Sequence, residues 1–359
     1  MDIIEYHRTL CPQRPVFLEK YLSLPLLKRL DGVGLLCGTD WTPLYHNQFF
    51  YSRLDHSIGT ALILWNFTHD KAVTIAGLLH DVSTPAFSHV GDFRRGDVLQ
   101  QEATEDGNRQ LVDTDAALNM LLLNDGLDAR AVDDYHRYPL ADNELPGLCA
   151  DRLEYMFPSG MILNGSWDME SFKKAYADII VCMNEAGQPE LGFADVQTAE
   201  DYCRRCCDVG LVLQHNENKL ALSLMGKILD SALACRIIKE ADVYKKSEEE
   251  LISLFDHAAE HPRNGDELTF AAYVRTFRTM DHILHTDTQQ PDCFCVSLDV
   301  KKRYIDPLVA DTPAAPAAKD GTLPAGRRVS TVSDTARHTV QHFLSYKDTA
   351  WGCVPLAKA

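Results

Sequence analysis

The chain has 359 residues, a formal net charge of −17, and 45% hydrophobic against 24% charged residues, which fits a soluble globule of one large domain or two and excludes a fibrous or disordered chain. The acidic balance argues against broad contact with nucleic acid or an anionic membrane, and no apolar run approaches the roughly 20 residues of a membrane span. The N-terminus MDIIEYHRTL has no basic stretch ahead of an apolar one, so no signal peptide and a cytoplasmic location are expected.

In chain order, residues 14–31 (RPVFLEKYLSLPLLKRLD) read as a helical entry that Gly32, Gly34 and Gly38 break. The most informative stretch follows, from Tyr51 to Phe93. Leu54, Ile58, Ala61, Leu62 and Trp65 recur at helical spacing, and so do Val73, Ala76 and Leu79 after Asp70, a residue suited to cap a helix start. A turn near His69-Asp70 predicts two antiparallel helices. His56 lies about 20 Å and His80 about 15 Å from that turn at about 1.5 Å per residue, so the two imidazoles converge. Ser83-Thr84-Pro85 ends the second helix and leaves His80 and Asp81 at an open end. Two imidazoles and an adjacent carboxylate suit a divalent transition metal (Fe, Mn, Zn, Co or Ni), where a lone histidine would read as an ordinary helix residue.

Between Asp92 and Glu144 the chain carries 13 acids against five arginines, a pattern of solvated faces and loops. In LPGLCADRLEYMF (145–157), Pro146 stands near a helix start, and Leu148, Asp151 and Tyr155 share a face. Helical periodicity continues from Ser166 to Leu284, and the alternation in CFCVSLDVKKRYIDPLV (293–309) predicts one or two short strands. The fold class expected is mostly α, with a few short strands in the C-terminal part. Residues 1–306 form the helical core, 307–326 a linker or loop rich in proline and alanine, and 327–359 a tail in which Ala336, Val340, Phe343 and Leu344 line one side of a docking helix. The eleven cysteines, including Cys203-x-x-Cys206-Cys207 and Cys293-x-Cys295, read as reduced, buried thiols rather than a zinc site.

The pattern of one His, then His-Asp, then a distant Asp resembles the HD-domain metal-dependent phosphohydrolases. Arg53, His56, Ser57 and Gly59, followed by Leu78, His80, Asp81, Phe87, Ser88 and His89, are similar to the deoxynucleoside triphosphate triphosphohydrolase branch. The resemblance implies an HD-domain helical bundle and a homodimer or larger assembly. It also implies one metal held by His56, His80, Asp81 and Asp151, the last from Asp151-Arg152-Leu153-Glu154-Tyr155. A metal-activated water would then cleave a phosphoester of a nucleotide or related small phosphorylated compound. Arg53, Arg152 and Tyr155 are the candidates to bind substrate, Arg53 by holding a phosphate, while His89 or Asp92 would transfer the proton. Three positions depart from that branch: Thr84 replaces a second histidine, Gln101-Glu102 a His-Glu pair, and Gly32 stands near the place of a sugar-reading glutamine, with no glutamine close by before Gln48. A nucleotide-binding regulator without turnover, or a phosphodiesterase, is therefore an open alternative.

Overall fold

A computed structural model describes residues 1–95, 107–311 and 322–358. Its principal helices are α1 (Ile3–Leu10), α2 (Arg53–Thr68), α3 (Lys71–Leu79), α4 (Val90–Arg95), α5 (Ala150–Leu163), α6 (Met169–Ala177), α7 (Val196–Gln214), α8 (Asn216–Ala234), α9 (Glu248–Glu260), α10 (Gly265–Thr279) and α11 (Asp334–Ser345). Two further helices, Asn108–Thr114 and Ala116–Asn124, and shorter helical turns lie in the connections. The entry segment is not one helix: Leu18–Leu22 and Pro25–Lys28 are separate helices, because Pro25 starts a new first turn and cannot continue the preceding one.

The expected antiparallel pair forms as α2 and α3. Ser52 caps α2 by accepting from the Asp55 N–H at 3.0 Å, and Asp70 caps α3 by accepting from the Val73 N–H at 3.1 Å. Between them His69 turns the chain in the left-handed region at φ 49°. Every residue of α2 from His56 to Leu64 is buried, since α1, α3 and α5 all pack on it. It is the central helix rather than an amphipathic surface one.

Seven short strands β1–β7 lie among the described residues: Ile179–Met183, Pro189–Phe193, Leu284–Thr286, Cys293–Val296, Leu308–Ala310, Gly326–Arg328 and Trp351–Pro355. One sheet has the order β1-β2-β5-β6, with β2 and β5 parallel and the other pairs antiparallel; the second is antiparallel, ordered β3-β7-β4. The continuous helical reading of 166–284 is thus corrected twice. After α6 the β-branched run Ile179-Ile180-Val181 pairs in a hairpin closed at Gly187, where φ is 72°, and Leu284 belongs to β3. The expectation of reduced thiols is corrected at one pair, as Cys295 and Cys353 face each other across β4 and β7 and form a disulfide. Cys203, Cys206 and Cys207 are free and buried on α7.

Two hydrophobic clusters make the core. One joins α1, α2, α3, α5, α6, α7 and α11; the other joins α8, α9 and α10 with Phe87 and Val90. Helix α11 docks on α7 through Ala336, Val340 and Phe343, whereas Leu344 lies 41% exposed at its edge. No helix among the described residues is long and apolar enough to cross a membrane.

Candidate metal centre

His56 projects from the first turn of α2, and His80 and Asp81 from the end of α3, while Asp151 lies in the first turn of α5, which packs beside α2. These elements bring the four side chains together. The Nε2 atoms of His56 and His80 are 3.1 Å apart; Asp151 Oδ1 lies 3.0 Å from the first and 3.6 Å from the second, and Asp81 Oδ2 lies 3.9 and 3.6 Å from them.

Both imidazoles are oriented from behind. His80 Nδ1–H donates to the Gly77 carbonyl at 2.7 Å, and His56 Nδ1–H to Glu154 Oε2 at 2.5 Å. With the Nδ1 protons committed, both Nε2 atoms face the two carboxylates, and four acceptors converge once the Nε2 protons are displaced. This donor set fits a divalent transition ion, and the carboxylate and carbonyl behind the histidines are the usual outer partners of such ligands. The electrostatics agree. Burial alone would lower the His56 imidazole, but Glu154 and Asp151 outweigh it and raise it to about 10. His80 also rises, as Asp81 and Asp151 overcome burial. Burial opposes the ionised forms of Asp81 and Asp151, yet Arg53 and the imidazoles hold the first, and the imidazoles the second, far below the usual carboxylate range. Left to itself the cluster takes up protons; a cation would take their place.

Glu154, which sequence reasoning did not single out, is completely buried under His56 and also accepts from Tyr51 Oη at 2.6 Å and Tyr6 Oη at 3.1 Å. Gly59 makes room for it. A Cβ at position 59 would lie 2.4 Å from Glu154 Oε1, so the glycine three residues after His56 is the sequence trace of this buried carboxylate. Glycine inside a helix ordinarily costs about 1 kcal/mol relative to alanine. Gly59→Ala is expected to reverse that sign, lowering the melting temperature and weakening metal binding by about 10-fold as Glu154 is pushed off His56. Titrating the variant with Co²⁺ checks this, and unchanged affinity would contradict the packing argument.

Arg53, 6% exposed, donates from Nη1 to Asp81 Oδ2 at 2.7 Å and from Nε to Ser88 Oγ at 2.6 Å. Thr84 Oγ1 donates to the other Asp81 oxygen at 2.9 Å, and Arg29 caps the end of this segment at the carbonyls of Val82 (2.6 Å) and Thr84 (2.7 Å). Thr84 therefore orients Asp81, a candidate ligand, from the position where the resemblance places a second histidine.

A cavity opens over the cluster. His56, His80, Asp81 and Asp151 line it together with Arg53, His89, Tyr155, Lys301 and Arg303. The last two were missed as site residues, although the basic run Lys301-Lys302-Arg303 was visible in the sequence. Arg152 turns away: its guanidinium bonds the Gly147 carbonyl at 2.9 Å, Asp142 at 3.2 Å, and Asn143, clamping the loop before α5. Gly32 packs on Ser247, with Leu35, Leu36, Cys37 and Thr39 nearer the cavity. Asp92 lies in α4 with its side chain outside the described residues, as does all of Gln101-Glu102.

No protein-family model matches the chain. An uncharacterized protein of Bacillus subtilis, YdhJ, is 27% identical over 252 residues, spanning 59% of this chain and 75% of that protein. The metal-dependent phosphohydrolase cns2 of Cordyceps militaris is 26% identical over 165 residues, so that this chain covers 46% of its length. The crystal structure of a phosphohydrolase from Bacteroides thetaiotaomicron superposes with a TM-score of 0.58 across 96% of both chains at 13% identity. The fold is therefore shared, at a distance where sequence is nearly effaced.

Proposed function

We propose that the chain is a metal-dependent phosphohydrolase that cleaves a phosphoester of a nucleotide or a related small phosphorylated compound. The observation that carries this is the convergence of His56, His80, Asp81 and Asp151 in a cavity that also presents Arg53, Lys301 and Arg303. A single divalent transition ion held by those four would supply Lewis acidity, polarising a phosphoryl oxygen and acidifying a water. The relationship to a metal-dependent phosphohydrolase and the fold shared with another phosphohydrolase support an HD-like family.

The chain's own residues bind and orient. Arg53 has N–H groups beyond those on Ser88 and Asp81 to present to a phosphate oxygen. Lys301 and Arg303 add positive charge locally in a protein of net charge −17. The hydroxyl of Tyr155 is buried and hydrogen-bonded to nothing among the described residues, which leaves a donor for a substrate oxygen. His89, half-buried and also lining the cavity, would move a proton to the leaving oxygen. Leu35, Leu163, Val300 and Tyr45 give the cavity an apolar side that fits a flat organic group and excludes water.

A screen of nucleoside mono-, di- and triphosphates and cyclic nucleotides with Mn²⁺, Fe²⁺, Co²⁺ or Zn²⁺, read as released phosphate or nucleoside, tests the reading. Turnover that a chelator abolishes is expected. Nucleotide-dependent thermal stabilisation without turnover would point instead to a regulator, since a ligand bound only by the folded state raises apparent stability whether or not chemistry follows.

A further inference from the structure

One buried carboxylate is used by none of the steps above. Glu248, the first residue of α9, is completely buried, and it bonds to two segments that adjoin the cavity's lining residues. Its Oε1 accepts from the Gly34 N–H at 3.0 Å and the Phe87 N–H at 3.0 Å, and its Oε2 accepts from Trp41 Nε1–H at 2.8 Å. These donors sit on two different segments. The loop from Gly34 to Trp41 contributes Leu35, Leu36, Cys37 and Thr39 to the cavity wall, and Phe87 precedes Ser88, the partner of Arg53.

We propose that Glu248 is a positioning residue for the metal centre: one carboxylate pins the 34–41 loop and the Phe87-Ser88 turn together, and so sets where Arg53 holds Asp81. This rests on the reading of His56, His80, Asp81 and Asp151 as a metal site. The connection is continuous. Ser88 Oγ donates to the Gly34 carbonyl at 3.2 Å and accepts from Arg53 Nε at 2.6 Å, and Arg53 Nη1 meets Asp81 at 2.7 Å. Gly34 is thus gripped by Glu248 at its N–H and by Ser88 at its carbonyl. A side chain at position 34 would be crowded, as a Cβ would lie 3.2 Å from Glu248 Oε2 and 3.1 Å from the Phe50 ring, so that one of these neighbours would have to give way.

Two further features separate this from ordinary core packing. Phe87 and Ser88 are both in the left-handed region, at φ 62° and 50°, a conformation that non-glycine residues keep only when their surroundings hold them there, and one that concentrates at functional sites. A carboxylate is also a costly group to bury for this purpose. Burial pushes Glu248 up to about 7, with Asp40 nearby adding to the rise and its three donors opposing it. A neutral core residue would avoid that penalty but could not accept all three hydrogen bonds.

The test is a double-mutant cycle of Glu248→Gln and Ser88→Ala in the full chain, read as the dissociation constant for Co²⁺ from its visible absorbance, with melting temperatures measured alongside. In Glu248→Gln the amide oxygen can serve Gly34 and Phe87, but its NH₂ then faces the Trp41 N–H, donor against donor. Co²⁺ affinity is expected to fall about 10-fold, within the range for outer partners of a metal site, and to fall much less when Ser88 is already alanine. Adding Trp41→Phe to Glu248→Gln removes the donor clash and should restore most of the loss. It also keeps the cycle measurable if the single variant folds poorly. Additive effects of the two substitutions, or no rescue by Trp41→Phe, would overturn the proposal while leaving the metal site intact. A wild-type chain that binds no Co²⁺ would overturn the metal reading and this inference together.

Discussion

Asp81→Ala is expected to purify with less than about a tenth of the wild-type metal and to lose phosphoester hydrolysis by about 1000-fold or more. The first figure follows from removing an anionic ligand from a set of four, a larger change than the 10- to 100-fold typical of outer partners. The second follows from losing several kcal/mol of Lewis-acid stabilisation at 1.36 kcal/mol per decade of rate. The variant also strands Arg53, which is 6% exposed and donates to Asp81 at 2.7 Å. Leaving one member of a buried pair uncompensated costs about 3–5 kcal/mol, so the melting temperature should fall as well. Asp81→Asn separates the two effects, because the amide oxygen can still accept from Arg53 while the charge that attracts a cation is gone. Elemental analysis of both purified variants is the measurement, and wild-type metal content in either would exclude Asp81 as a ligand.

What the sequence disclosed about this site was set by spacing along helices. His56 and His80-Asp81 could be brought together on paper because a helix has a fixed rise and the His69-Asp70 turn allows only one way back. Asp151 required the longer resemblance, since nothing local says that α5 packs beside α2. Glu154 was named only as part of that motif, its role hidden because a fully buried acid reads as polar; Gly59, within the Arg53-to-Gly59 motif, was its one visible consequence. Arg152 shows the opposite failure. It stands next to Asp151, but a helix turns about 100° per residue, which carries its guanidinium to the Asp142–Gly147 loop instead of the cavity.

The fold divided in the same way. Helix caps and the α2–α3 turn were readable, but the β1–β2 hairpin was taken for helix. Ile179-Ile180-Val181-Cys182-Met183 is an apolar run without clear period, and what decides its conformation is pairing with Pro189–Phe193, which pairs in turn with β5, more than a hundred residues further on. The Cys295–Cys353 pair was invisible for a similar reason. Its two halves are 58 residues apart in sequence, and only the pairing of β4 with β7 brings them opposite each other.

Glu154→Gln should leave the chain folded but weaken its metal binding by about 10- to 100-fold, the range for outer partners of a ligating histidine. The shape of the side chain is kept, and the amide oxygen can still accept from Tyr51 and Tyr6, which meet Oε1 at 2.6 and 3.1 Å. The other half of the group then becomes NH₂ and faces His56 Nδ1 at the 2.5 Å contact. Two donors cannot share that contact, so the imidazole must give up its Nδ1 proton and accept from the amide instead. Its remaining proton then sits on Nε2, the atom 3.1 Å from His80 Nε2 and 3.0 Å from Asp151, and a protonated Nε2 cannot ligate a metal. The lesion is therefore a tautomer change at His56 rather than the loss of a contact. It predicts a signature that general destabilisation would not give: the nitrogen chemical shifts of His56 in the metal-free protein near neutral pH should report a neutral Nε2–H ring in the variant, and in the wild type, where the group is raised to about 10, an imidazolium that keeps its Nδ1 proton. Unaltered Co²⁺ affinity, or a wild-type His56 signal in Glu154→Gln, would show that Glu154 does not set the orientation of this ligand.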